Sequence, residues 1–256
     1  YLVKCGDALT RADLAQVLDE YQRGNGITLD ASQIEALEIL ARHFPRAKRR
    51  QIIATPPGGH LRPAVGRLAD VIAGDYNPSG RLTMSFPRNV GQLPIYYNHK
   101  NTGRPLPADN PKMDYKSSYL DVANTPLYPF GYGLSYTTFQ ISNMQMDKSS
   151  MGKGDKVTVT AEVKNTGTVD GETVVQLYIR DLVASVTRPV KELKGFTKVA
   201  LKAGESKKVS FTVTEAELSF YDIDLKYTAE PGNFELWVAA DAADETNQAS
   251  LVYTAK

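Results

Sequence analysis

Residues 156–163 read KVTVTAEV, and apolar and polar side chains alternate through them without interruption. Val157, Val159, Ala161 and Val163 share one face, whereas the threonines and the glutamate face the other way. Successive side chains of a β-strand point to opposite sides of the sheet, so this alternation predicts a strand that is buried on one face. The turn residues NTG at 165–167 end the strand.

The same pattern recurs on both sides of this strand, with turn residues between the segments. Further strands are predicted over Phe139–Met146, Thr173–Ile179, Val190–Leu201 with an interruption at Gly195, Lys207–Val213, Lys226–Thr228, Phe234–Ala239 and Ala249–Tyr253. Seven or eight strands within about 115 residues indicate a β-sandwich of the immunoglobulin or fibronectin type III kind.

The composition argues against several classes of protein. The 256 residues carry 30 basic and 29 acidic side chains, without the basic surface that nucleic-acid binding needs. The single cysteine, Cys5, cannot form an intramolecular disulfide or a multi-thiolate metal site. No stretch approaches the roughly 18 consecutive apolar residues of a membrane helix. The start at Tyr1, without Met or a signal-peptide pattern, suggests a processed product or a fragment.

The first 66 residues have a different character. Two amphipathic helices are predicted there, from apolar residues spaced three or four apart: Leu14, Val17, Leu18 and Tyr21, then Ile34, Leu37, Leu40 and Ala41. An arginine-rich stretch follows, from Arg42 to Arg67, which we interpret as solvated surface rather than an anion or nucleic-acid patch. His60 has no second histidine or carboxylate pair at ligand spacing, so no metal site is predicted.

Long motifs follow in a fixed order. They read GDYNPSGRLTMSFP from Gly74, GQLPIYY from Gly91, PFGYGLSYTTF from Pro129, RPVKELKGF from Arg188, LKAGE from Leu201 and EPGNF from Glu230. Together they closely resemble the C-terminal part of bacterial β-glucosidases of glycoside hydrolase family 3, including the fibronectin type III-like domain that closes these enzymes. The resemblance covers about Leu68 to Lys256.

The resemblance implies an α+β, multidomain fold class. A partial α/β sandwich domain with its junction loop is expected over residues 1–139, of which residues 1–66 match the family poorly. An all-β fibronectin type III-like, immunoglobulin-like sandwich is expected over residues 140–256. Between Phe44 and Arg67 the family pattern disappears, and we hypothesise that a frame shift or a fused gene fragment produced this stretch. We also predict that residues 1–139 alone are weakly stable or associate, because a truncated α/β core exposes strand edges.

The resemblance further implies a retaining glycosidase that acts on β-linked glucosides or oligosaccharides, in the periplasm or outside the cell, without a cofactor. Such an enzyme needs two carboxyls about 5–5.5 Å apart. In the family the nucleophile belongs to a barrel that this sequence does not contain, so we expect the chain alone to be inactive. Asp19 and Glu20 lie on a predicted helix and are interpreted as solvent-facing, and no catalytic residue is assigned.

Candidate substrate-binding residues are Asn98, His99 and Arg104, in a polar, aromatic-rich loop of the kind that rims a sugar pocket. The alternative is an ordinary ordered surface loop. Trp237 is expected to fill a core rather than to stack on sugars. Two rival functions stay open: a non-catalytic carbohydrate-binding module, and a structural module that associates with a separate barrel domain or with a second copy of itself.

Overall fold

A computed structural model describes residues 70–106 and 115–254 of the chain. The chain divides into two compact units, Tyr1–Asn77 and Pro78–Lys256. In the first unit residues 70–73 are helical, and Gly74 follows with a φ of +85°, the left-handed conformation in which helices commonly end. The two predicted helices, the arginine-rich stretch, and Asp19 and Glu20 lie outside the described residues, and the domain division predicted after residue 139 stays a prediction.

The described part of the second unit contains ten strands, one short α-helix and one 3-10 helix, Val90–Gln92. The strands are β1 (Phe139–Met146), β2 (Ser150–Gly152), β3 (Lys156–Asn165), β4 (Gly171–Asp181), β5 (Glu192–Leu201), β6 (Ser206–Thr214), β7 (Phe220–Tyr221), β8 (Tyr227–Thr228), β9 (Gly232–Ala239) and β10 (Gln248–Thr254); helix α1 is Glu215–Leu218. Every strand predicted from β-alternation is present, within about two residues at each end.

The strands form two main sheets. One has the order β1-β3-β6, the other has the order β2-β10-β9-β4-β5, and β7 and β8 form a separate hairpin. Neighbouring strands are antiparallel, except that β10 pairs parallel with β2. The predicted β-sandwich is therefore confirmed. No helix within the described ranges has the length and apolar character needed to cross a membrane.

The main core lies between the two sheets and follows the predicted alternation. In β3, Val157, Val159 and Val163 are fully buried, and Ala161 is 1% exposed. On β4 the pattern differs, because side chains on both faces of the strand are buried. Gln176 and Tyr178 are the buried examples on the outer face. The outer face of β4 is covered by the segment of residues 78–136, and its described residues, 78–106 and 115–136, form no long strand or helix.

The segment 78–136 is held by isolated contacts. Phe86 forms a single β-bridge with Tyr128, and the N–H of Leu82 donates to the carbonyl of Tyr132 over 2.8 Å. Residues 81–86 form no continuous strand, because these bonds lie too far apart along the chain to make a ladder. Arg81 Nη2 donates to Thr173 Oγ1 of β4 over 2.9 Å, which ties the segment to the sandwich.

Candidate functional site

The loop that carries the three candidate binding residues is anchored through its backbone. The carbonyl of His99 accepts a hydrogen bond from the N–H of Val190 over 2.9 Å, and the carbonyl of Arg104 accepts one from Ser117 over 2.8 Å. The side chains of Asn98, His99 and Arg104 are all exposed. The loop is thus fixed in place while its polar side chains stay available to solvent or to a ligand.

This loop forms one wall of a cleft with a volume of about 860 Å³. His99 lines the cleft, whereas Asn98 and Arg104 do not. The facing walls come from residues 117–126, from the residues before β5, from Trp237 of β9 and from the loop that follows β9. The structure therefore brings His99 together with groups that the sequence analysis did not select, and leaves the other two candidates on the open surface.

Lys191 is the main charged group at the floor of the cleft. Its side chain is only 6% exposed, and its ammonium donates to the carbonyl of Ala242 over 3.0 Å and to Glu245 Oε1 over 3.4 Å. The ammonium also lies over the ring of Trp237, 4.5 Å from the centroid, a favourable cation–π distance. Burial lowers the pKa of Lys191 below its ordinary value, and the carboxylate of Glu245 opposes this shift.

An aromatic cluster supports this floor. The ring of Tyr97 stacks on Phe130, with the centroids 4.3 Å apart, and meets the edge of Tyr178 at 5.8 Å. The hydroxyl of Tyr178 donates to Gln176 Oε1 over 2.6 Å, and Gln176 Nε2 donates to the carbonyl of Ala240 over 2.6 Å. Burial raises the pKa of Tyr178, so its hydroxyl stays protonated and keeps this bond.

The opposite wall is also preformed, around the fully buried Gln92. Gln92 Nε2 donates to the carbonyl of Ala123 over 2.7 Å, and Gln92 Oε1 accepts from the N–H of Arg88. The hydroxyl of Tyr119 donates to the carbonyl of Gln92 over 3.0 Å. These bonds fix the loop of residues 117–126, so this wall needs no rearrangement before a ligand enters.

Trp237 is 4% exposed and packs with Tyr178 and Ala239 in a small cluster on the outer face of the five-stranded sheet. The prediction that it fills a core is therefore confirmed. Its Nε1–H has no hydrogen-bond partner among the described residues. One face of the indole is occupied by the ammonium of Lys191, which leaves that face closed to a ligand ring.

The described lining of the cleft contains one carboxylate, that of Glu245. The lining combines this acid and a buried ammonium with tyrosine, histidine, asparagine and threonine side chains. Such a set donates and accepts hydrogen bonds and offers aromatic surface, which suits a polar organic ligand.

Two family models match the sequence. The model described as the glycosyl hydrolase family 3 C-terminal domain matches residues 58–136, and that of the fibronectin type III-like domain matches residues 173–242. The first match includes residues 58–67, so the expectation that the family pattern is absent up to Arg67 was wrong for these residues. These matches confirm the predicted fold class, the end of an α/β domain followed by an all-β sandwich. The second match begins in β4 and ends shortly after β9, so it lies within the sandwich described above.

Individual proteins of the family are similar over the same region. A periplasmic β-glucosidase of Salmonella typhimurium is 53% identical over 176 residues, 69% of this chain and 23% of that protein. A β-xylosidase of Formosa agariphila is 47% identical over 185 residues, 72% of this chain and 24% of that protein. The crystal structure of a β-glucosidase from Listeria innocua in complex with glucose gives a TM-score of 0.68 at 42% identity, over 73% of this chain and 26% of that one.

The chain thus spans about a quarter of the length of these relatives. The two family matches include most of the motifs on which the resemblance rests, in the same order, and they confirm it. The chain belongs to glycoside hydrolase family 3, and it carries residues of the C-terminal domain of that family followed by the fibronectin type III-like domain.

Proposed function

We propose that the complete protein is a retaining, β-glucosidase-like hydrolase that acts on β-linked glucosides or short saccharides, in the periplasm or outside the cell. The observation that carries this proposal is the 53% identity to a periplasmic β-glucosidase over 176 residues. The nucleophile belongs to the part of the family protein outside these 256 residues. The chain on its own binds or positions and does not hydrolyse.

Within the complete enzyme, Asn98, His99 and Arg104 contact hydroxyl groups of the substrate. Two observations support this role. Backbone bonds to Val190 and Ser117 hold the loop in place, and all three side chains are exposed, with His99 facing the cleft. Amide, imidazole and guanidinium groups are suitable hydrogen-bond partners for sugar hydroxyls.

Hydrolysis of a chromogenic aryl β-glucoside tests the proposed activity. The full-length product of the gene is expected to turn over the substrate, and the purified 256-residue chain is expected to show no turnover. Turnover by the chain that persists through repurification would refute the fragment assignment, and Asp19, Glu20 and Asp30 would then be the first acids to mutate. Absence of turnover by the full-length protein on aryl glucosides and xylosides would refute the activity.

The binding role is tested in the same full-length enzyme. Alanine variants of Asn98, His99 and Arg104 are expected to raise KM by about threefold to tenfold, the effect of removing one hydrogen bond, with kcat changed less. Lys226→Ala serves as a control, because Lys226 is exposed and pairs with Asp224 on the β7–β8 turn. Equal KM values for all four variants would contradict the role.

A structural role is the second candidate, and one observation favours it. Several large apolar side chains of the segment 78–136 are exposed, with Tyr115 87%, Val90 82% and Leu93 59% exposed. Exposed apolar surface of this kind is available for contact with another part of a protein. Light scattering of the chain alone tests self-association: a dimer supports a homo-oligomer, whereas a monomer that binds a barrel-bearing segment supports the interdomain role.

A further inference from the structure

We propose that the cleft binds a neutral saccharide, and that Tyr96 and the Lys191–Glu245 pair hold it. This inference rests on the proposed function in one respect, that the complete protein handles saccharides. It goes beyond that function by assigning a binding site to this chain alone. The volume of about 860 Å³ lies within the range of about 300–1,000 Å³ that is usual for small-molecule sites.

The first argument is charge balance. Lys191 pairs with Glu245 at 3.4 Å, and Arg180 lies 3.7 Å from Glu235. The remaining basic residue of the lining, Lys100, is exposed to solvent. A ligand therefore meets no unpaired buried cation, and an acidic ligand would have to lose hydration beside the carboxylate of Glu245 with only the solvent-exposed Lys100 as a counter-ion.

The second argument is the unequal burial of the ion pair. The side chain of Lys191 is 6% exposed and that of Glu245 is 71% exposed. Lys191 is thus a fixed donor, and its bonds to Ala242 and Glu245 use two of its three N–H groups. Glu245 contacts the ammonium of Lys191 from the solvent-exposed side, and its carboxylate can accept further hydrogen bonds. An adjacent donor and acceptor match two neighbouring hydroxyls of a sugar, each of which donates and accepts.

The third argument is the aromatic wall. Tyr96 lines the cleft with 51% of its surface exposed, unlike the neighbouring Tyr97, which is packed into the aromatic cluster. Tyr96 therefore offers apolar surface to the C–H face of a sugar ring and keeps its hydroxyl in contact with water. Because Lys191 already covers one face of Trp237, Tyr96 is the ring we assign to stacking.

The test is titration of the 256-residue chain, by calorimetry or by NMR, with cellobiose and with its acidic counterpart cellobiouronic acid. Cellobiose is expected to bind at least about tenfold more tightly, the ratio that 1.4 kcal/mol produces. Tyr96→Ala is expected to weaken cellobiose binding about fivefold or more. Glu245→Gln is expected to weaken it about threefold or more and to reduce the discrimination against the acid.

Two matched controls lie outside the cleft. Tyr227→Ala removes a tyrosine that is 60% exposed on β8, and Asp224→Asn removes an exposed carboxylate that pairs with Lys226. Both are expected to leave binding unchanged. Tyr96 is half-exposed and Glu245 mostly exposed, so these variants should keep the wild-type Tm. If Glu245→Gln lowers Tm, Tyr96→Ala alone decides the outcome.

Three results would overturn the proposal: no binding of either disaccharide, binding of the acid that equals or exceeds that of cellobiose, or an equal loss with Tyr96→Ala and Tyr227→Ala. Hydrolysis by the full-length protein is a separate readout. Turnover there without binding by the chain would refute this inference alone, and binding by the chain without turnover by the full-length protein would refute the proposed activity alone.

Discussion

Gly131→Ala should destabilise the chain much more than Gly204→Ala, although both glycines adopt the left-handed conformation, with φ of +84° and +75°. A Cβ at residue 204 would meet nothing within 4 Å. A Cβ at residue 131 would lie 2.5 Å from Gln176 Nε2 and 3.0 Å from the Cα of Asp241. Gly131 therefore marks a close approach of the segment 78–136 to Gln176 on the outer face of β4.

The magnitude follows from two contributions. The left-handed backbone costs an alanine about 1–2 kcal/mol, and this is the whole effect expected at Gly204. At Gly131, overpacking adds about 1–3 kcal/mol, because Gln176 cannot swing away. Gln176 is 3% exposed, and its amide is held by the Tyr178 hydroxyl and by the carbonyl of Ala240. We therefore expect a loss of about 3 kcal/mol at Gly131 against about 1 kcal/mol at Gly204.

Urea unfolding of the 256-residue chain measures the difference. Trp237 is the single tryptophan of the sequence and lies in the same buried cluster as Tyr178, so its fluorescence reports on this part of the fold. Equal losses in the free energy of unfolding for Gly131→Ala and Gly204→Ala would refute the reasoning. The packing of the segment against β4 would then contribute nothing measurable to stability.

Three further predictions concern single side chains. Burial raises the pKa of Asp181 from 3.8 to about 6, so the folded chain holds this proton more tightly than the unfolded chain does. The free energy of unfolding should therefore fall as the pH rises from about 4 to about 6. Asp181→Asn should flatten this part of a plot of Tm against pH. Gln92→Ala should cost about 2–3 kcal/mol in urea unfolding, because it leaves the N–H of Arg88 and the carbonyl of Ala123 without their partner. Glu217→Ala removes the capping box with Thr214 at the start of α1 and should cost about 1 kcal/mol, measured in the same way.

Each of these has a clear contrary result. An unchanged pH profile for Asp181→Asn would mean that another group produces the dependence. A loss below about 0.5 kcal/mol for Gln92→Ala would mean that water replaces the amide without penalty. For Glu217→Ala, a loss as large as that of Gln92→Ala would point to a role beyond the cap.

The β-sandwich was predictable because its signal is local. The alternation in β3 arises because one face of the strand packs against the core and the other faces away from it. The interruption expected at Gly195 is present as a β-bulge: Gly195 pairs with Leu177 and Leu193 with Tyr178, which leaves Lys194 as an extra residue. The short strands β2 and β7 carried no such signal, because two or three residues are too few to show a period.

The floor of the cleft was not predictable by the same reasoning. A lysine next to a predicted strand is ordinarily expected to face solvent, and this expectation fails for Lys191. Its ammonium lies over Tyr178 and Trp237, and the cluster of these two rings packs against Tyr97 and Phe130, which lie about 60 to 95 residues before Lys191 in the chain and follow no period of their own. Residue type and loop character selected three residues, of which His99 lines the cleft and Asn98 and Arg104 do not, and they could not distinguish among the three. Substrate binding by these residues stays a prediction.

The parallel pairing of β10 with β2 bears on how the sandwich is made during synthesis. Val252 lies opposite Ser150, so about a hundred residues separate two strands that are neighbours in the sheet. β10 also lies between β2 and β9, and it is translated after every other strand described here. Until β10 leaves the ribosome, β2 and β9 each have an unpaired edge, which can form hydrogen bonds with other chains. We therefore expect nascent chains stalled before residue 248 to depend on chaperones, and release of residues 248–254 to complete the sheet.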